Sequence, residues 1–275
     1  MNGTKPIKLK SIKKEYLWGT EDWLLSYLHE GFEKVPLLIK KITAEQALSV
    51  QVHPDDAYAK EKEGSKGKTE MWYVLDCVPG AFLYYGLKHQ ISANEFLKRI
   101  QNGTITEVCQ KVPVKKGDVF YIPAGLVHAI GAGITVAEIQ QSSNITYRVY
   151  DYQRKDAENH PRELHIAQAA EVAGFLPPLQ GHRPMGLPVK KEGYTKTLLV
   201  QCSHFAVHRC EITERMCGKI TERPKALWIT EGTGILRTEQ EELRVTADDC
   251  IYLPSQMGAY ELTGKVQLLM SEALE

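Results

Sequence analysis

Neither sign of charge is in excess: Lys plus Arg and Asp plus Glu number 34 each, so the formal net charge at pH 7 is zero. That absence excludes a global field drawing the chain to nucleic acid or an anionic membrane, and any anion must be held by a local cluster. No run approaches the ~20 apolar residues of a membrane span, and the opening Met1-Asn2-Gly3-Thr4-Lys5 lacks the apolar core of a signal peptide. The cytoplasm is therefore the expected compartment, with neither nucleic acid nor membrane as a partner; homodimerisation is left open. The six cysteines, at 77, 109, 202, 210, 217 and 250, show no C-x-x-C spacing and no dense framework. They read as reduced, mostly buried thiols.

What is present is a chain of 275 residues, enough to bury one large core or two moderate ones. Short apolar runs separated by Gly, Pro and Asp dominate it, as at 71–75, 81–85, 119–122 and 134–139, and predict antiparallel β-structure. Helices are the minority. Ser92-Ala93-Asn94-Glu95 reads as a capping box opening a helix that Asn102-Gly103 ends, and Pro161-Arg162-Glu163 as the start of another running to Val172. The Pro/Gly-rich passage from Pro177 to Pro188 predicts a linker over 176–189, separating one domain at 1–175 from another at 190–275.

Gln51-Val52-His53, Glu70 and His128 supply imidazole, carboxylate and amide donors without a thiolate. Such a set suits a catalytic zinc ion, which keeps one coordination position for water or substrate. Strand alternation puts Gln51 and His53 on one face, so both can reach one ion. His128 ends the run Gly117-Asp118-Val119-Phe120-Tyr121-Ile122-Pro123-Ala124-Gly125-Leu126-Val127-His128, a strand, a Pro/Gly turn and a histidine opening the next strand. This resembles the second signature of cupin barrels, whose corner throws the histidine ring inward at the barrel mouth. The usual first signature has H-x-H where this chain has Gln51-x-His53.

The resemblance narrows with the blocks Leu48-Ser49-Val50-Gln51-Val52-His53-Pro54-Asp55-Asp56, Gly67-Lys68-Thr69-Glu70-Met71-Trp72-Tyr73, Pro123-Ala124-Gly125-Leu126-Val127-His128-Ala129 and Thr146-Tyr147-Arg148-Val149-Tyr150-Asp151-Tyr152-Gln153-Arg154. In order and spacing they resemble the type I phosphomannose isomerases, in their short bacterial form, over residues 36–160. The resemblance implies a mainly β fold of two cupin-type jelly-roll barrels with a few short helices. It also implies one zinc ion per chain held by Gln51, His53, Glu70 and His128, and a sugar phosphate as partner. The implied reaction moves a proton between carbons 1 and 2 of mannose 6-phosphate and fructose 6-phosphate through a cis-enediol. Arg148 matches the family's catalytic arginine, Lys68 a lysine near the reacting carbons, and Glu138 an acidic residue of the same pocket. Ser49 and Arg154 match substrate-binding positions, Arg154 one that helps hold the phosphate.

Independently of that resemblance, strand alternation would put Arg148, Tyr150, Tyr152 and Arg154 on one face, two cations beside two phenols. Lys68, two residues from Glu70, should point inward, which is costly for a lysine unless it meets an anion. His128, Glu138, Lys68 and a zinc-bound water are all able to carry the proton, and the sequence does not rank them. The family's long N-terminal part is trimmed here to Trp18-Gly19-Thr20-Glu21-Asp22-Trp23, which leaves an isomerase of a different phosphosugar as an alternative. A noncatalytic cupin binding a sugar phosphate is the other. An iron oxygenase fits less well, because such sites typically draw two histidines from the first motif and this chain supplies one.

Beyond the linker the pattern repeats. Asp249-Cys250-Ile251-Tyr252-Leu253-Pro254 echoes Asp118 to Pro123, and Ala226-Leu227-Trp228 echoes Glu70-Met71-Trp72. Aligned this way, His128 faces Ala259 and Glu70 faces Ala226. Residues 190–275 are expected to be a second barrel without metal, with His208 structural.

Overall fold

A computed structural model describes residues 5–155, 158–179 and 181–274. The opening segment Met1–Thr4, read above for a signal peptide, lies outside the described residues. Strands dominate as expected, and the apolar runs appear as strands Glu70–Cys77, Phe82–Leu87, Val119–Ile122 and Ile134–Gln141. No helix among the described residues is long and apolar enough to cross a membrane.

The chain divides into two compact units, and one break, between His182 and Arg183, falls inside the expected linker. One comprises Met1–Ile12, Trp23–Ile39 and Arg183–Glu275, the other Lys13–Asp22 and Lys40–His182. The unit beyond that break also takes in two separate segments, Met1–Ile12 and Trp23–Ile39, that the sequence assigns to the first domain. A physical reason is the strand Ile7–Leu9, which pairs antiparallel with Cys250–Leu253 and so joins the C-terminal sheet. Short strand pairings between distant segments leave no local mark in a sequence.

Within the second unit, a five-stranded sheet carries the order Tyr147–Tyr150, Val50–Val52, His128–Ile130, Phe82–Leu87, Cys109–Pro113. Its register is what matters for the site. Gln51 lies opposite Arg148 on one side and opposite His128 on the other, so the three residues form one row across three strands. A second sheet contributes Glu70–Cys77, paired with Ile134–Gln141 so that Glu70 lies opposite Gln140 and Trp72 opposite Glu138. Alternation puts Glu70, Trp72, Glu138 and Gln140 on a common face. All four are buried.

The helix predicted at Ser92 is there: it spans Ala93–Gln101, and the Ser92 hydroxyl accepts from the Glu95 amide. The helix predicted from Pro161 begins later, at Ile166–Val172. Pro161 instead bridges Lys155, Arg162 is engaged by Asp151, and the Glu163 carbonyl accepts from Arg148. Tertiary partners override the proline start signal.

In the C-terminal unit, Lys225–Thr238 pairs with Cys250–Leu253 so that Lys225, not Ala226, lies opposite Leu253. In the N-terminal unit, Glu70 lies opposite Ile122, the residue that Leu253 echoes. Strand register therefore moves the counterpart of Glu70 by one residue, to a lysine that pairs with Glu272 at 3.2 Å. Burial, then the charge of Lys196, pushes the His208 imidazole down to about 4.

Candidate active site

Two backbone hydrogen bonds assemble the centre. Gly125 N–H donates to the His53 carbonyl at 2.9 Å and Lys68 N–H to the Pro54 carbonyl at 3.0 Å, tying the Pro/Gly turn and the lysine segment to one strand end. Gly125 has φ +85, the left-handed region glycine adopts without strain. At Gly67 a side chain would meet the Asp55 backbone at 2.5 Å, so the segment packs only because that residue has none.

His53, Glu70 and His128 are 1%, 0% and 0% exposed, and their donor atoms lie within 4.8 Å of one another. His128 Nδ1 donates to the Leu126 carbonyl at 2.8 Å, which fixes the tautomer and leaves Nε2 as a lone pair. That lone pair lies 3.3 Å from Glu70 Oε1. His53 Nε2 lies 3.6 Å from Glu70 Oε2. Both oxygens of Glu70 are buried without completing a hydrogen bond, although Lys68 Nζ stands 3.0 Å from Oε2 and 3.2 Å from His53 Nε2. Acceptors facing acceptors in a dry interior are unfavourable, and a cation among them removes the conflict. Gln51 Nε2 lies 3.4 Å from His128 Nε2. A half-turn of its amide presents the carbonyl oxygen instead, the atom a cation requires.

Electrostatics agree with a metal-binding role. Burial, followed by the Lys68 charge, pushes the His53 imidazole down to about 3. Burial also lowers His128, so both rings are neutral, as ligands require. For Glu70 burial acts upward, but Lys68 and then His53 outweigh it and hold the carboxyl well below the usual range.

A pH dependence follows for metal-stripped protein. An unfolded His53 titrates near 6.5 and the folded one near about 3. Between those values the unfolded chain binds the extra proton, so stability rises with pH across the window and falls on acidification. Glu70, also lowered, acts in the same direction at the acid end. Thermal melts of chelator-treated protein check this; a melting temperature that holds or rises on acidification through the window contradicts the assignment.

Beside the cluster opens a cavity of about 230 Å³, its lining including Ser49, Gln51, Lys68, Glu138, Arg148 and Arg162. This is below the ~300 Å³ at which drug-sized sites begin, a size for a small polar ligand. Glu138 accepts from Lys40 Nζ at 3.0 Å and from Trp72 Nε1 at 2.9 Å. Burial works against the Lys40 ammonium, yet Glu138 and Glu21 more than offset it and raise its pKa. Arg148 donates from Nη1 to the Glu163 carbonyl at 2.6 Å, while its Nε is buried without a partner. Burial, then the nearby Arg162 charge, lowers its pKa.

Eight of the nine expected site residues therefore converge: Ser49, Gln51, Lys68, Glu138 and Arg148 line the cavity, and His53, Glu70 and His128 stand beside it. Arg154 does not join them. The strand ends at Tyr150, and Tyr152 and Gln153 adopt φ 53 and 56, which breaks the alternation on which its placement rested. Its guanidinium donates to the Ala47 carbonyl at 2.7 Å and lines a second cavity with Tyr150, Lys155 and Arg162. Sequence reasoning missed Lys40, Glu21 and Arg162. Lys40 alternates with Leu38, Ile42 and Ala44 on the buried face of the strand Leu37–Ala44, which was a readable signal; Arg162 carried none.

A sequence model described as the mannose-6-phosphate isomerase cupin domain matches residues 195–273. A mannose-6-phosphate isomerase of Streptococcus mutans is 38% identical over 241 residues, covering 87% of this chain and 75% of that protein. The chain belongs to the mannose-6-phosphate isomerase family. Within that family, ManA of Bacillus subtilis is 37% identical over 263 residues, 95% of this chain and 82% of ManA. The crystal structure of a B. subtilis mannose 6-phosphate isomerase superposes with a TM-score of 0.87 at 30% identity, covering 97% of this chain and 99% of that one. The cupin-type, mainly β architecture is thus the family's. Its sequence model lies in the C-terminal unit, whereas the His-Glu-His cluster lies in the other.

Proposed function

We propose that this protein interconverts mannose 6-phosphate and fructose 6-phosphate through a cis-enediol, with one zinc ion held by Gln51, His53, Glu70 and His128. The carrying observation is the buried His53–Glu70–His128 cluster beside a small cavity that holds Arg148, Lys68 and Glu138. When bound, zinc supplies Lewis acidity beside the reacting carbonyl. Arg148 stabilises the negative charge that develops on the substrate oxygen as the proton leaves carbon 2. Glu138 is fixed by Lys40 and Trp72, so its carboxylate is oriented before substrate arrives. Lys68, paired with Glu70, presents a charged donor at the cavity wall.

In this reading both units are jelly-roll barrels, only the one with His128 carries metal, and the protein works in the cytoplasm on a sugar phosphate. The six free cysteines support a reducing compartment. The test is an aldose–ketose isomerase assay across hexose and pentose phosphates, with metal analysis of the same preparation. Turnover of mannose 6-phosphate, abolished by chelation and restored by zinc, is expected. Zinc binding with no turnover of any phosphosugar would favour a binding module.

A further inference from the structure

We infer that Arg162, rather than Arg154, grips the phosphate of the substrate, and that Asp151 is the residue that positions it. The identity of the anion rests on the isomerase reading above; the anion site itself rests on geometry.

After Tyr150 the chain turns back through two left-handed residues, Tyr152 and Gln153. The turn carries Arg154 to a second cavity, which Arg162 also lines; Arg154 is not in the lining of the one beside the metal cluster. Arg162 reaches the metal-side cavity from the loop that follows, where it shares the wall with Arg148, Ser49, Asn144 and Thr146. Two guanidinium groups with hydroxyl and amide donors suit a phosphate, whose oxygens accept from a planar fork.

Asp151 fixes that fork. Arg162 donates from Nε to Oδ2 at 2.7 Å and from Nη2 to Oδ1 at 2.6 Å. The paired edge is thereby saturated, and Nη1 has no acceptor among the described residues. Asp151 is itself 5% exposed and also binds Arg154, so one carboxylate serves two arginines. Arg148 brings a third cation, and the cavity lining as a whole sets Lys40, Lys68, Arg148 and Arg162 against Glu21 and Glu138. Positive charge is left in excess around a partly desolvated cavity, and neighbouring like charges there are unfavourable until an anion is shared between them. A phosphate ester, with about −1.5 to −2 charges at neutral pH, meets that requirement.

The test combines steady-state kinetics on mannose 6-phosphate with calorimetric titration of inorganic phosphate, on zinc-loaded native protein and on Arg162→Ala, Arg162→Lys, Arg154→Ala and Asp151→Asn. Zinc content and melting temperature control for folding. Arg162→Ala should raise KM by ~10- to 100-fold with kcat within about threefold, because a grip used equally in ground and transition states acts on KM alone. Its phosphate Kd should rise by a similar factor. Arg162→Lys should recover part of both losses, and Asp151→Asn should raise KM while leaving zinc content and kcat near native. A larger rise in KM or phosphate Kd for Arg154→Ala than for Arg162→Ala overturns the assignment, as does native phosphate binding in Arg162→Ala with unchanged KM. Phosphate titration does not require turnover. A native protein without isomerase activity, whose phosphate binding still depends on Arg162, would sink the isomerase reading and keep the anion site.

Discussion

Replacing His128 with alanine is expected to empty the metal site, taking zinc from about one ion per chain toward zero and turnover down by ~1,000-fold or more. The ring is held by its Nδ1 bond to Leu126 and packs edge-on against Trp72 at 5.3 Å between centroids. Nε2 is therefore pre-aimed at Glu70 Oε1, and no neighbouring side chain replaces it. Because His128 is fully buried, alanine also leaves a void, which costs stability whether or not metal binds. His128→Gln keeps most of the volume and should lose zinc affinity too, separating ligand loss from cavity formation. Elemental analysis alongside melting curves is the measurement. Native zinc content in both His53→Ala and His128→Ala would place the metal elsewhere in the chain.

The contrast between the proposed metal ligands and Arg162 shows what one sequence makes legible. Gln51 and His53, or Lys68 and Glu70, are two residues apart, and the turn before His128 is spelled out by Pro123 and Gly125. Spacings that short are governed by strand alternation and turn chemistry, which act locally. The same rule failed at Arg154 because alternation holds only while the strand lasts, and neither Tyr152 nor Gln153 announces a left-handed conformation the way glycine does. Arg162 was unreadable for a different reason. Its place on the cavity depends on Asp151, eleven residues away along a loop, where Pro161 looked like a helix start.

The membership of the N-terminal segments in the C-terminal unit was illegible for the same physical reason. The Pro/Gly-rich passage marks an irregular segment, but the strand Ile7–Leu9 finds its partner some 240 residues later, and nothing in three residues of sequence encodes that choice. The C-terminal echo illustrates a subtler limit. Similarity of Ala226-Leu227-Trp228 to Glu70-Met71-Trp72 suggested one alignment, while hydrogen-bond register gives another, with Lys225 at the carboxylate's place. A one-residue slip moves every side chain to the other face. Both alignments deny the C-terminal unit the Glu70 carboxylate.

Arg148→Ala is expected to keep zinc and fold while lowering kcat by ~100-fold or more, the loss seen when a preorganised charge facing a developing oxyanion is removed. The register supports that division of labour. Arg148 lies opposite Gln51, which lies opposite His128, so the guanidinium belongs to the row that carries two of the proposed metal ligands without being one of them. Its guanidinium is anchored by a backbone group, Nη1 donating to the Glu163 carbonyl, while its backbone is tied to His165: the carbonyl accepts from His165 N–H at 2.8 Å and the N–H donates to His165 Nδ1 at 3.3 Å. Truncating the side chain therefore removes the donor to an exposed Glu163 carbonyl that water can reach but breaks no ion pair with a proposed metal ligand, and the expected loss of stability is about 0.5–1.5 kcal/mol. Arg148→Lys keeps the charge but not the planar fork, and should restore only a fraction of the activity. Steady-state kinetics on mannose 6-phosphate with parallel zinc analysis separates the possibilities. Zinc lost along with activity would make Arg148 a support of the metal site, and turnover near native in Arg148→Ala would remove it from the chemistry altogether.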